Sequence, residues 1–403
     1  MREYTIPKIK KINLNNEMLE KISLVLILLS MVFIGSDRIS LDIGGFTVRF
    51  VQLILVLESF ILFLQGKYKI IITIPMIAVV ASHILSTIFT FDLRASLAYD
   101  FWLIYNFLFV LYVFYSYAKS TKKEKVIDLI LFSFIIQSIY IYIQFIVGSL
   151  GYNDPFFSMQ HYMGIYRPSI WFYEPSYVAT YFSVYFALSI YLLINFKTRK
   201  YIANSINALL SLILITSTTG YLAIGFTIFL MLILNIKTLL NINKKILLGV
   251  LVGIIIILVI VLNMNIGFID VFLGRIFRDG LVNSSGERIG NWMNTFNIFI
   301  QYPILGIGPN AYMRYTGSGT PPTNVSLELL ANLGITGFGA FYYFIISILK
   351  KCYKKISETS IYNKAIVIAI IVFMVTLQAN QNYMRLYLWM LLGICIGFTR
   401  KKD

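Results

Sequence analysis

Residues 126–148 read VIDLILFSFIIQSIYIYIQFIVG, and this stretch decides the class of fold. It contains one charged side chain, Asp128, and it follows the basic segment Lys122-Lys123-Glu124-Lys125. A helix of about 20 mostly apolar residues crosses the hydrocarbon core of a bilayer. Backbone polar groups have no water to bind there, so an α-helix is the expected conformation. The stretch therefore predicts a transmembrane helix.

Similar stretches recur along the whole chain. The sequence is 58% hydrophobic and 13% charged, whereas a soluble protein carries roughly 25% charged residues. We predict an all-α, polytopic bundle of about twelve spans that forms one transmembrane domain over residues 1–403. The first span is interpreted as a retained signal anchor, and the boundary near 217–220 separates either two short spans or the halves of one broken element. The predicted spans are 21–36, 47–65, 70–90, 97–118, 126–148, 175–195, 201–217, 218–235, 246–266, 324–349, 363–380 and 382–399.

The positive charges divide unequally between the two predicted sides. Of 34 lysines and arginines, 25, including every lysine, fall in or beside the segments predicted to face the cytoplasm. The positive-inside rule then predicts that both termini are cytoplasmic, and it accounts for the net charge of +16 without nucleic acid as a partner. The remaining nine are all arginine: Arg38, Arg49, Arg94, Arg167, Arg275, Arg278, Arg288, Arg314 and Arg385.

The absence of lysine among these nine needs a separate reason, because the positive-inside rule counts both residue types alike. Arginine carries a planar fork of donors that pairs bidentately with carboxylate or phosphate and tolerates partial burial. Two readings are open: recognition of an anion at the outer face, or ion pairs with the outer acids. Those acids include Asp37, Asp92, Asp270 and Asp279.

Two predicted outer loops, 149–174 and 267–323, are much longer than ordinary connections, which favours a functional role. The second contains an amphipathic stretch over 287–299 in which Trp292, Phe296 and Phe299 share one helical face. We expect a helix that starts near Ser284 or Ser285 and lies against the membrane surface or the mouth of the bundle.

The first loop ends in Arg167-Pro-Ser-Ile-Trp171-Phe-Tyr173-Glu174-Pro-Ser-Tyr177. Proline suits the first turn of a helix, and an acid before it is favoured by the helix dipole. Glu174 is therefore either a helix-start acid or an acceptor for a sugar hydroxyl among aromatic side chains.

The second loop and the next predicted span carry three further patterns. Arg275, Arg278 and Arg288 could cradle a diphosphate, or they could pair with Asp279 and Glu287 at the surface. The segment Tyr302-Pro-Ile-Leu-Gly306-Ile-Gly308-Pro309-Asn310 matches no nucleotide-binding fingerprint, and it is interpreted as shaping the backbone. Acids within spans are costly, which makes Glu328, Glu58 and Asp100 candidates for function. His83 is interpreted as a hydrogen-bonded intramembrane residue.

These motifs together resemble the O-antigen polymerase/ligase family, which includes Wzy-type polymerases. The similarity lies in the Glu-Pro-Ser segment before a mid-chain span, in Glu287-Arg288-Ile-Gly-Asn-Trp292 followed by Pro-Ile-Leu-Gly-Ile-Gly-Pro, and in Asn324 followed by Gly334-Ile-Thr-Gly337. The motifs occupy about 165–180 and 274–340. The ligase branch has histidine before the asparagine, whereas this chain has Thr323, which favours the polymerase branch.

The resemblance implies a metal-independent and cofactor-free membrane glycosyltransferase. Its substrate would be an undecaprenyl-diphosphate-linked oligosaccharide at the outer face of the bacterial plasma membrane, for O-antigen or capsule, and a chain-length regulator is a candidate partner. Glu174, Arg167 and Arg288 would be catalytic. The expected substrate-binding residues are Arg275, Arg278, Trp171, Tyr173, Trp292, Asn324 and Arg314. An O-antigen ligase and a non-enzymatic flippase or transporter of the same lipid remain the alternatives, although a transporter would place ionisable residues at mid-membrane.

Overall fold

In a computed structural model of the chain, apolar helices form a bundle and short hairpins join some of them. The structure describes residues 2–5, 16–43, 46–157, 160–162, 165–239, 279–317, 321–354, 361–380 and 382–399. The helices are α1 (Asn16–Val32), α2 (Phe50–Leu64), α3 (Ile74–Ile88), α4 (Leu93–Tyr105), α5 (Tyr112–Ser120), α6 (Lys123–Ser149), α7 (Pro175–Phe196), α8 (Arg199–Leu214), α9 (Thr218–Leu239), α10 (Asp279–Gln301), α11 (Tyr312–Thr316), α12 (Val325–Lys354), α13 (Ile361–Thr376) and α14 (Leu386–Thr399).

The predicted helical bundle is confirmed, with short strands beside the helices, but the count of about twelve spans is not confirmed. In the described ranges, five helical stretches are long and apolar enough to cross a membrane: Leu93–Ser120, Lys123–Ser149, Pro175–Phe196, Val325–Cys352 and Ile361–Ala379. Shorter apolar helices overlap several of the other predicted spans. Predicted span 246–266 lies outside the described residues. Near the predicted boundary at 217–220, helix α8 ends at Leu214 and helix α9 begins at Thr218, so two separate helices meet there.

In the described residues, strands occur as three antiparallel pairs that the hydropathy pattern did not predict. Strand β1 (Arg2–Thr5) pairs with β4 (Lys69–Ile72), β2 (Ser40–Ile43) with β3 (Phe46–Arg49), and β5 (Gln160–Tyr162) with β6 (Ile165–Arg167). In the second pair Ser40 lies opposite Arg49, and in the third Gln160 lies opposite Arg167. The second and third pairs thus hold two of the outer arginines in fixed registers.

The centre of the bundle is built around α7 and α14. Helix α7 packs against α8, α9 and α13, while α14 packs against α5 and the segment before it. Every side chain of α14 from Leu386 to Phe398 is buried. An apolar helix buried on all sides belongs to the interior of a large bundle. Because α7 and α14 are packed in the interior, the segments that directly precede them are fixed at their starts.

Helices α4 and α5 are joined without a break by a π-helical segment, Asn106–Leu111, in which each backbone hydrogen bond spans one more residue than in an α-helix. The buried Asn106 side chain donates from Nδ2 to the Met384 carbonyl oxygen at 3.0 Å. This contact fixes the residues just before α14, which become part of the site described below.

Candidate functional site

The two ends of the bundle carry different cations. One end, here called the arginine end, comprises the described residues of the segments 33–49, 89–94, 150–174, 302–324 and 380–385, where α1, α3 and α6 finish and α4, α7, α12 and α14 begin. Its described arginines are Arg38, Arg49, Arg94, Arg167, Arg314 and Arg385. The opposite end, here called the lysine end, holds the lysines between α2 and α3, α5 and α6, and α7 and α8. The predicted motifs converge at the arginine end.

Asp37 is the acid around which two of these arginines are arranged. Its carboxylate accepts from Arg385 Nη1 at 2.7 Å and pairs with Arg49 Nε at 3.0 Å. The Arg385 side chain is 8% exposed, and its guanidinium lies 3.9 Å from the centre of the Tyr177 ring. Such a buried cation requires both a counter-ion and a polarisable neighbour. The alternative that outer arginines pair with outer acids is thus confirmed for Arg49 and Arg385.

Arg38 joins this group to the first loop. Its backbone N–H donates to the Trp171 carbonyl oxygen at 3.1 Å, and its Nη2 donates to the Tyr173 carbonyl oxygen at 2.9 Å. Burial lowers the pKa of Arg38, while the negative charges of Asp154, Asp37 and Glu174 oppose that shift. The Arg38 guanidinium therefore lies beside the segment that leads into Glu174.

Glu174 is the N-cap of α7, with Pro175 in the first helical position, as the sequence predicted. Its side chain is half-buried, and Ser176 Oγ donates to its Oε2 at 3.1 Å. Within the described part of the chain, no cation lies in ion-pair contact with this carboxylate. The helix dipole stabilises its negative charge, and its oxygens retain acceptor capacity.

A second carboxylate, Glu328, is buried one turn into α12. Its Oε2 accepts from the Asn382 backbone N–H at 2.7 Å, and its Oε1 lies 3.4 Å from the Tyr99 hydroxyl. That hydroxyl is also 3.1 Å from Asn382 Oδ1. Asn382 adopts a left-handed conformation, with φ of 79°. Glu328 therefore fixes the turn that presents Arg385 to Asp37.

His83 has hydrogen-bond partners at both ring nitrogens, as predicted. Its Nδ1 lies 3.1 Å from Asp100 Oδ1, and its Nε2 lies 3.0 Å from the Tyr383 hydroxyl. Thr87 Oγ1 donates to the other Asp100 oxygen at 2.7 Å. These hydrogen bonds give both carboxylate oxygens of Asp100 a partner, and they fix Tyr383, the residue after Asn382.

The second loop meets the start of α12 through Trp292. Its Nε1 donates to Thr323 Oγ1 at 3.1 Å. The next residue, Asn324, caps α12 by accepting from the Leu327 N–H at 3.0 Å, while its Nδ2 donates to the Gln378 carbonyl oxygen at 2.9 Å. The structure thus brings together the tryptophan of one predicted motif and the asparagine of the next.

The helix predicted over 287–299 is confirmed, but it begins at Asp279, so Ser284 and Ser285 lie inside it and do not cap it. Its buried face also differs from the predicted stripe. Thr295 and Ile298 are buried, whereas Phe296 is 46% exposed. The contact face packs on α11 and α12, which leaves part of the aromatic stripe outside.

The glycine-rich segment after α10 shapes the backbone, as predicted. Ile307 N–H donates to the Ala331 carbonyl oxygen at 3.0 Å, and Ile335 N–H donates to the Pro303 carbonyl oxygen at 2.9 Å. The segment 303–307 can approach the α12 backbone this closely because α12 is interrupted at Gly334, whose φ is 63°. A Cβ there would lie 2.2 Å from the Ile304 carbonyl oxygen. The predicted continuous span 324–349 is therefore two helical pieces clamped by the preceding loop.

The other predicted site residues are placed less directly. Trp171 is buried and stacks on Tyr140, with ring centres 5.6 Å apart, whereas Tyr173 is 63% exposed. Arg314 is exposed and lies 3.6 Å from Asp92, its predicted type of partner. Arg167 closes strand β6. Arg275, Arg278 and Asp270 lie outside the described residues, and for Arg288 and Asp279 only the helical backbone is described.

Several residues of this cluster were not among the predicted site residues. Asp37, Arg38, Arg49 and Arg385 were recognisable only as members of the outer charge set. Gln378 and Asn382 belong to the amide-rich run Gln378-Ala-Asn380-Gln-Asn382 between two apolar stretches, which was the available signal. Among the described residues, no three His, Cys, Asp or Glu side chains are grouped to hold a metal ion.

Comparison with known proteins supports the motif-based resemblance. The family model described as O-antigen ligase matches residues 203–342, about a third of the chain. The matched range includes Trp292, the segment 302–310, Asn324 and Gly334. No curated protein matches the chain. The match confirms the predicted resemblance to the O-antigen polymerase/ligase family, and the long apolar helices agree with a multi-pass membrane protein.

Proposed function

From this family resemblance, we propose that the protein polymerises undecaprenyl-diphosphate-linked oligosaccharide repeat units at the outer face of the bacterial plasma membrane. A hydroxyl oxygen of the acceptor sugar forms a bond to the anomeric carbon of the donor. The bond from that carbon to the diphosphate oxygen breaks, and undecaprenyl diphosphate leaves. The hydroxyl proton passes to a carboxylate of the protein.

The observation that carries this proposal is the fixed positive charge at the arginine end. Arg49 and Arg385 share the one carboxylate of Asp37, and Arg38 is held by the Tyr173 carbonyl oxygen beside the entry to α7, so these contacts leave the group with a net positive charge. A leaving diphosphate gains negative charge, and preorganised cations at low dielectric stabilise such charge without a reorganisation cost. An apolar bundle with this charge at one end suits a substrate that has a lipid chain and an anionic head.

Glu174 is the proposed base. Glu174 lies at the start of α7 and is half-buried, and among the described residues its carboxylate forms no ion pair. A general base must reach the proton that it takes, so an acid committed to an arginine would be a poor candidate. Glu328, by contrast, is engaged by the Asn382 backbone. Of the two carboxylates, Glu174 is therefore the one available to an acceptor hydroxyl.

Arg167 and Arg288 are the proposed diphosphate clamp, with Arg275 and Arg278 as further contacts. Arg167 is seven residues before Glu174, and strand pairing fixes its backbone. Arg288 precedes Trp292 by four residues on α10, and this spacing places the two on one helical side. Since Trp292 contacts Thr323, that side of α10 faces the start of α12. Tyr173 and Arg314, both exposed, are proposed sugar and phosphate contacts.

Thr323 supports polymerase over ligase. Its hydroxyl accepts from the Trp292 indole, and it stands where the ligase branch has histidine. A threonine hydroxyl does not act as a base near neutral pH, because it does not titrate there. A mechanism that depends on histidine at this point is thus closed to this chain. A chain-length regulator would act on the polymer and is a proposed partner.

The test is polymer formation by the purified protein in liposomes that contain an undecaprenyl-diphosphate-linked repeat unit. The intact protein should produce a ladder of longer products. Glu174→Gln should slow it by about 10²–10⁴-fold, the usual contribution of general base catalysis. Glu20→Gln, at the lysine end, is the matched control and should retain the ladder. Equal rates for both variants would remove Glu174 from the mechanism.

Two further readouts separate the alternatives. Cells that lack a polymerase still attach single repeat units to the final acceptor, whereas cells that lack a ligase attach none. Transfer of labelled lipid across liposomes without any polymer would identify a flippase instead.

A further inference from the structure

A large apolar groove lies between α2 and α4, on a side of the bundle that the described protein leaves open. Its volume is about 860 Å³, within the range of ligand-binding sites. Leu53, Val56, Phe101 and Trp102 are among the lining side chains. Leu53 and Phe101 are each half exposed, at 50% and 56%. In a membrane-spanning bundle, such a wall faces lipid, so a hydrocarbon chain can enter it sideways from the bilayer.

Arg94 is the cation in this lining. It lies on the first turn of α4, at the arginine end, and its side chain is exposed. Arg49 and Arg385 pair with Asp37, Arg314 lies near Asp92, and Arg38 is bound by the Tyr173 carbonyl. Across the described ranges, by contrast, Arg94 has neither an ion pair nor a side-chain hydrogen bond. Its guanidinium is therefore available to an anion at the mouth of an apolar groove.

The groove also adjoins the candidate site. Its lining begins at Val48, next to Arg49, and includes Gln52, whose Oε1 accepts from the Arg49 N–H at 2.7 Å. Arg49 is one of the two partners of Asp37. A lipid lying in the groove would thus carry its head beside the Asp37–Arg385 pair.

We propose that the α2–α4 groove holds the polyprenyl chain of the lipid-linked sugar and that Arg94 binds a phosphate oxygen of its diphosphate. This inference rests on the proposed function. The guanidinium fork matches phosphate geometry and is weakly hydrated, which suits a cation at the membrane interface beside an apolar groove. The groove would align the lipid so that the sugar projects toward the entry to α7.

The experiment measures binding of undecaprenyl diphosphate without sugar to the full-length protein in nanodiscs, by native mass spectrometry. Ala98→Trp places a large ring in the groove, and Arg94→Ala removes the cation. Each should weaken binding roughly tenfold or more, the factor expected from loss of a charge-assisted contact for the arginine. Ile77→Trp, on the exposed side of α3, and Arg199→Ala, at the lysine end, are the matched controls and should bind as the parent does.

The outcomes are distinct. Unchanged binding in both groove variants overturns the groove, even if the liposomes still make polymer. Equal displacement by phosphatidylglycerol means a general site for anionic lipids, and it overturns the proposed occupant. If undecaprenyl diphosphate binds in the groove but no polymer forms, the site stands and the proposed function fails. Farnesyl diphosphate, which has the same head and a short chain, should bind more weakly if the groove holds the chain.

Discussion

The two ends of the bundle use positive charge in opposite ways. At the arginine end, both members of the Arg385–Asp37 pair are more than nine-tenths buried. At the lysine end, the Lys21–Glu17 pair is 75% exposed on both sides, and the Lys200–Asp128 pair is about two-fifths exposed. Lys119 is a buried lysine at that end, so burial is not confined to arginine.

The difference shows that charged residues can serve two separate purposes, the orientation of the chain in the membrane and the packing of its helices. The predicted orientation rests on where the lysines lie in the sequence, and it does not require them to be buried. Their exposed ion pairs contribute little to stability. Buried arginines must be paired, because an unpaired charge removed from water is very costly. The preference for arginine at this end thus reflects in part a structural network centred on Asp37, and in part exposed cations such as Arg94.

The largest expected effect comes from breaking the buried pair. Arg385→Ala should lower the free energy of unfolding by roughly 3–5 kcal/mol, because Asp37 loses its closest partner and Tyr177 loses its cation. Lys200→Ala, its counterpart at the lysine end, should cost less than about 1 kcal/mol. Both are measured by unfolding with SDS in mixed micelles. Similar losses for the two variants would mean that the ends do not differ in this respect.

The break in α12 provides the second test. Gly334→Ala places a Cβ against the Ile304 carbonyl oxygen in a left-handed conformation, so it should cost about 1–3 kcal/mol. Gly339→Ala, five residues further along the same helix, meets no atom within 4 Å. It should be neutral or stabilise by up to about 1 kcal/mol, since alanine favours a helix over glycine. A change of the same sign in both would contradict the clamped geometry. Thermal unfolding in detergent measures the two.

Much of the fold was predictable because long apolar runs have few alternatives in a bilayer. The run 126–148 became a helix from Lys123 to Ser149. The Gly334 break was not predicted, because the segment 324–349 has the hydropathy of an ordinary span, and only the crossing of Pro303 and Ile304 makes the interruption visible. The predicted count of about twelve spans is not confirmed, because helix length alone supports five spans in the described ranges.

The candidate site was predictable where its signal is local. Glu174 was placed at a helix start because proline follows it directly. The Asp37–Arg385 pair joins residues 348 positions apart, and no local pattern records such a contact. For Trp171 the sequence could not show the contact with Tyr140, because an aromatic residue in a long loop has the same local pattern whether or not it packs on a neighbouring helix. Its predicted role in sugar binding stays a prediction.

The smallest expected effect is a difference in salt dependence between Asp154, at the arginine end, and Glu20, at the lysine end. The pKa of each is lowered, but for a different reason. Burial raises the pKa of Asp154, but hydrogen bonds from Gln144, the Phe156 and Phe157 N–H groups and Tyr140 bring it below its ordinary value. Hydrogen bonding and attraction from Lys67 lower the pKa of Glu20, against a slight opposite effect of burial. A carboxylate with a lowered pKa adds stability above its unfolded pKa, near 4, and this stability is lost as the pH falls through the folded value.

Protection of the Phe156 and Phe157 amides against hydrogen exchange, corrected for intrinsic rates, should therefore fall below about pH 4 in the parent and be lower at pH 7 in Asp154→Asn. Salt separates the two ends. At 1 M NaCl, where the screening length is about 3 Å, the small effect of Glu20→Gln on stability should vanish, because its partner is an exposed lysine. The effect of Asp154→Asn should persist, because its partners are neutral donors within hydrogen-bond distance. If salt removed both effects alike, Asp154 would be held by charge, and the arginine end would resemble the lysine end at this position.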